Sequence, residues 1–299
     1  MDLSNTGGSI TFGNDVTLLG LTTAANNFAI TFNGTTNTFT NATSFTNTGA
    51  LTLGNGGDTF TFTGGLNTTG VGGTVTLNGT VNTTNTALTL GSVTLGGATT
   101  LDSSATTNAG DVTIGAVTGG GNSLTLKTGA GVAGADVSGT TVSGVNALTL
   151  QNIGGTASFT GAVNATSLSA DNTVVNVSST GSGGTIANAV AFTNTGTLTL
   201  GQAAGTQTYT GGLNTNGVLG VVAVNGTLST TNTALNLGAV TLGSQTTLSA
   251  GNGQIDVGAV TGGTFSLAAN TTGATNFNGA ISGVNALTTN AGAGSTTVA

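Results

Sequence analysis

Eight carboxylates are the side chains in this sequence best suited to acid or base work near neutrality. They are Asp2, Asp15, Asp58, Asp102, Asp111, Asp136, Asp171 and Asp256. Clustered carboxylates on β-helix scaffolds cleave polysaccharides, and such sites need two or three acids close together. Here the Asp residues lie far apart along the chain. Glu, Arg, His and Cys are absent, and Lys127 is the one basic side chain. That removes Ser-His-Asp and Cys-His triads and zinc sites built from the usual ligands. It also removes any disulfide framework. One Lys against eight Asp excludes a nucleic-acid binder, which needs a basic surface. The expectation is therefore no enzyme, no catalytic residue, no cofactor and no metal. The eight Asp are expected in solvated turns, and Lys127 and Tyr209 at the surface or an edge.

Three weaker chemistries were open. The runs GNGGD at 54–58 and GNGQID at 251–256 faintly resemble a Gly- and Asp-rich calcium β-roll, but that motif needs tandem nine-residue copies and neither run repeats. Thr-x-Thr pairs on a flat sheet face can match an ice lattice. Thr59, Thr61, Thr63, Thr74, Thr76, Thr208 and Thr210 are the candidates, yet the pairs recur irregularly, and β-propensity on an exposed face accounts for them. Asn-x-Ser/Thr sequons begin at Asn33, Asn41, Asn67, Asn78, Asn82, Asn164, Asn176, Asn225 and Asn270. A chain this rich in Asn and Thr produces such a number by chance.

The elements that would position these residues follow from composition and period. Charged residues are 3% of the 299, aromatics 4% (eleven Phe and one Tyr), and Gly numbers 54. Ordinary domains carry about 25% charge. Disordered chains combine low hydrophobicity with high net charge, whereas this one is 36% hydrophobic. Its apolar residues alternate with Thr, Ser or Asn in runs such as LTL at 51–53, TFTFT at 59–63 and VTI at 112–114. Period two puts Leu, Val, Ile and Phe on one face and Thr on the other. No run carries a helical period, and frequent Gly and Asn oppose helix. Glycine and Asn clusters punctuate the runs as tight turns. No stretch of about twenty apolar residues could span a bilayer as a helix.

The chain also repeats itself. Residues 45–101 laid over 192–248, an offset of 147, are identical at 39 of 57 positions. The offset falls to 143 at GAVTGG (115–120 and 258–263) and to 139 at SGVNAL (143–148 and 282–287). Two copies, 45–148 and 192–287, thus differ in turn lengths. Asp58 and Phe60 of the first become Gly205 and Gln207 in the second. A 147-residue unit divides into seven coils of about 21, each long enough for three short strands and three turns. The predicted fold is all-β: one parallel β-helix (β-solenoid) over residues 1–299, right-handed and three-sided, with about 14 coils. Leu51, Leu53, Leu88, Leu90, Val93, Leu95, Ile114, Leu198, Leu200, Leu235 and Val240 should point inward. Leu66 and Leu213, 147 apart, should occupy the same face and coil position, seven coils along.

The runs DVTIGAVTG (111–119), ALTLGSVTL (87–95) and SFTGAV (158–163) resemble the β-strand repeats of filamentous-haemagglutinin-like and autotransporter-like bacterial surface proteins. The resemblance is compositional and covers nearly the whole chain. It implies a long right-handed solenoid exported to the cell surface as an adhesin, biofilm component or passenger stalk. The start at Met1 lacks signal-peptide character and neither end reads as a cap, so a fragment of a longer repeat array is expected. The expected function is a structural or adhesive region of an exported fibrous protein; the alternative is an ice- or carbohydrate-binding module. Expected partners are further coils or copies stacked end to end, and host or neighbouring-cell surfaces or glycans.

Overall fold

The structure is a computed structural model and describes residues 1–107 and 110–299. Every pairing between its strands given below is parallel, and no helix occurs among the described residues. The chain is a β-solenoid of about 14 turns, about 21 residues apart. It divides into two compact units, Met1–Ala157 and Ser158–Ala299.

In the first unit three ladders carry the coils. One runs Thr43, Leu66, Leu88, Val112, Val137. The second runs Ile10, Ile30, Leu51, Val75, Val93, Val117, Val142. The third runs Asn37, Phe60, Val81, Leu101, Leu126, Leu150. Alternation fixes which side chains go in, because a slip of one residue would turn a whole Leu/Val set to water. The Leu and Val members from Leu51 onward are 0–3% exposed, and burying each contributes about 1.5–3 kcal/mol. Phenylalanines fill the early coils. Phe12 stacks on Phe32 with centroids 4.6 Å apart, and Phe39 on Phe62 at 4.7 Å, close to the ~4.8 Å spacing of paired strands.

The second unit repeats the plan. Val190, Leu213, Leu235, Ile255 and Thr275 form its first ladder. Val177, Leu198, Val222, Val240 and Val260 form its second, and Gln207, Leu228, Leu248 and Ala269 its third. All eleven residues expected to point inward are buried, as are Leu66 and Leu213. Leu66 pairs with Leu88, and Leu213 with Leu235. The expected shared face seven coils along does not hold, however: the pairings that start at Leu66 lead to the strand of Leu198, and Leu213 belongs to a separate six-stranded sheet.

Coil length varies through the turns and bulges. Val75 to Val93 is a short step of 18 residues, and so is Val222 to Val240. In both strand pairs a bulge follows, between Leu77 and Gly79 and between Val224 and Gly226, and lengthens the step to 20 residues. Gly226 has φ +62, and a Cβ there would collide with the carbonyl oxygens of Gln202 and Gly205. That position therefore demands glycine.

Outward positions form columns of their own. Thr11, Thr31, Thr52, Thr76, Thr94, Thr118 and Ser143 follow one another on seven successive coils. A second column runs Thr36, Thr59, Thr80, Thr100, Thr125, Thr149.

Candidate functional site

Each of the eight Asp carboxylates accepts a hydrogen bond or joins an ion pair, mostly within a turn or from the next coil. Asp15 Oδ1 accepts from the Thr36 backbone N–H (3.0 Å) and the Thr35 hydroxyl (3.1 Å). The Thr36 N–H, assisted by Thr35, holds this exposed carboxyl below its ordinary value. Asp111 takes the Asp136 N–H at 3.0 Å, and Asp136 takes the Thr156 N–H at 2.6 Å. Asn85, Asn164, Asn176 and Asn232 use their side-chain oxygens in the same way, each on a backbone N–H 20–22 residues on. The short Asx side chain caps a backbone donor of the next coil. Asp2 and Asp171 accept from threonine hydroxyls. Asp256 is bridged by Gln254 Nε2 (2.6 Å) and Asn276 Nδ2 (2.7 Å).

Three expectations need correcting. Asp2, Asp102 and Asp256 lie in strands, not in turns. Asp58 is not a solvated turn residue: it is 3% exposed, and its Oδ2 accepts the Asn55 N–H at 2.8 Å. Tyr209 is not at the surface either. It is 3% exposed, and its hydroxyl donates to Gln207 Oε1 at 3.1 Å. Gln207 in turn donates to the Ser179 carbonyl (2.6 Å), the Ser179 hydroxyl and the Gly181 carbonyl. In the first copy the positions 147 residues earlier are Phe32, Phe60 and Phe62, which form an aromatic cluster. A fully hydrogen-bonded polar core thus stands where the other copy stacks rings. Burial raises the Tyr209 phenol well above its ordinary value.

Lys127 does lie on an outward face. It pairs with Asp102 at 3.0 Å, its register neighbour on the preceding coil. This column reads Thr38, Thr61, Asn82, Asp102, Lys127. The Thr-x-Thr pairs at 36/38 and 59/61 therefore give way, while the single Thr columns persist. Among the described residues no three Asp form a group that could hold a metal ion.

Sequence reasoning missed a groove in the second unit. It has a volume of about 530 Å³ and is lined by Ala204, Thr227, Ser244, Gln245, Thr247 and Phe265, with Ala203 and Gly226. Gln245 is exposed and Phe265 half-buried. Ser244 is buried, and its hydroxyl accepts the Gly226 N–H at 3.1 Å across the bulge. These residues come from different coils, and only stacking in register brings them together. Their trace in the sequence is the divergence between copies, where Ala98 becomes Gln245 and Asn122 becomes Phe265.

No family model matches this chain, and neither a characterised protein nor a solved structure matches it.

Proposed function

We propose that the chain is a structural or adhesive repeat region of an exported bacterial fibrous protein, working at the cell surface or outside the cell without catalysis. The observation that supports this most is the outward Thr column from Thr11 to Ser143, one hydroxyl on each of seven successive coils. A surface repeating the same chemistry at every coil suits display and multivalent weak attachment. The engagement of all eight carboxylates in hydrogen bonds or an ion pair that tie turns and coils together supports a building role for them rather than proton transfer.

Self-association belongs to the same reading. Strand Thr296–Val298 pairs with Thr275–Phe277 on one side and is exposed along its length. Such an edge accepts another strand, whether from further coils of a longer chain or from a second molecule. Protease shaving of intact source bacteria tests the placement. Peptides of this chain should be released before lysis; recovery only from lysed cells would rule out a surface role.

A further inference from the structure

We propose that the groove of the second unit binds a neutral saccharide chain, with Phe265 as the stacking face and Gln245 as the hydrogen-bonding group. Its volume of about 530 Å³ falls in the range of ligand sites, about 300–1,000 Å³. No charged side chain lines it, so an ionic ligand would find no counter-charge. What lines it is one aromatic ring beside an amide and the hydroxyls of Thr227 and Thr247. A pyranose presents the matching chemistry: a C–H face for the ring and hydroxyls that donate to and accept from an amide.

The ring is held in place. The Phe265 N–H donates to the Gly262 carbonyl and its own carbonyl accepts the Asn285 N–H, both at 2.9 Å. The ring packs over Gly263, where an added Cβ would lie 3.7 Å from Cδ2. Gln245 lies in the bulge of a long strand, between Leu242 and Thr246, which pair with Val224 and Gly226 of the preceding coil.

The internal duplication supplies an independent observation. Seven lining positions fall in the aligned segment, and four of them differ between copies, against 18 of 57 (57 − 39) for the segment as a whole. Gly56 becomes Ala203, Gly57 becomes Ala204, Gly97 becomes Ser244 and Ala98 becomes Gln245. With Asn122 replaced by Phe265, each change enlarges the side chain; together they add a ring and a hydroxyl and move the amide from position 122 to Gln245. Two of the neighbouring changes carry strain. Gly57 and Gly121 have φ +74 and +84 in the first copy. Ala204 and Thr264 keep the same left-handed backbone at φ 57 and 75 without glycine. A β-branched residue there is a true outlier, and such strain clusters at ligand clamps.

The test uses the purified 299-residue chain in calorimetric titrations with neutral hexasaccharides of glucose, xylose and N-acetylglucosamine, and with polygalacturonate as the charged comparison. At least one neutral hexasaccharide should bind saturably, at micromolar to millimolar Kd. Phe265→Ala should weaken it about tenfold or more, as loss of an aromatic contact does, and Gln245→Ala should also weaken it. Phe265→Tyr should hold within about threefold, since the ring face remains. Leu19→Ala, at an exposed position of the first unit, should leave binding unchanged. The proposal falls if no neutral hexasaccharide saturates, if polygalacturonate binds in preference, or if Phe265→Ala with an unchanged melting profile binds like the wild type. Any of these results leaves the surface role untouched.

Discussion

Tyr209 shows how one buried hydroxyl can be both stabilising and a liability. Its O–H satisfies Gln207 Oε1, and Gln207 satisfies the carbonyls of Ser179 and Gly181. Tyr209→Phe restores the residue of the first copy, Phe62, yet it orphans a buried acceptor. We expect a loss of about 1–2 kcal/mol at neutral pH, read from urea melts. Alkali should reverse the comparison. The fold holds the phenolic proton more tightly than the unfolded chain does, because burial raises the phenol above its ordinary 10.0. The wild-type contribution is complete below that value and is lost as pH rises from it through the folded value. Melts from about pH 8 to 12 should therefore show wild type falling and the variant flatter; parallel curves would contradict the assignment. Thr264 offers a separate test. Its φ of 75 suits glycine, and Gly121 holds the equivalent place. Relief of about 1–2 kcal/mol of left-handed strain outweighs the extra unfolded-state entropy of glycine, about 0.4–1 kcal/mol. Thr264→Gly should raise the melting temperature slightly, and a lowered one would mean the backbone there is not strained.

The strand is where sequence and structure agree best, and the reason is physical. In a solenoid the same alternation must hold on every coil, so LTL at 51–53 and at 198–200 both carry the pattern of a single inward face. Turns obey no such repetition. Which corner residues meet depends on coil lengths that run from 18 to 25 residues, and a single sequence does not fix that sum. This is why the Asx caps between coils, the burial of Asp58 and the groove were not legible, whereas the inward set from Leu51 to Val240 was. Bulges show the same dependence on neighbours. Gly226→Ala must place a Cβ against two carbonyl oxygens at positive φ, and we expect a loss of roughly 2 kcal/mol or more. Gly13 has ordinary φ and open space around its missing Cβ, so Gly13→Ala should be neutral or stabilising by about 0.4–1 kcal/mol. Urea midpoints of the two variants decide the matter. Equal effects would mean that the bulge tolerates a side chain.

The molecule as a whole is stabilised with very little charge. Nine charged side chains serve 299 residues, and burial of Leu, Val, Ile and Phe in continuous columns takes up the task, with backbone groups satisfied from coil to coil. The ion pair of Lys127 with Asp102 keeps 27% and 17% of its side-chain surface exposed; such pairs are worth about 0–1 kcal/mol. Two salts separate these contributions. Chloride acts mainly by screening, with a Debye length shrinking from about 10 Å at 0.1 M to about 3 Å at 1 M. Sulfate is excluded from protein surface and strengthens burial. Thermal melts should therefore move little with potassium chloride over that range and rise clearly with sodium sulfate at equal ionic strength. Lys127→Met should behave alike in both series, because its partner sits on a wet face and can rehydrate. A melting temperature that followed chloride as steeply as sulfate would show that electrostatics, and not the buried columns, sets the stability of this chain.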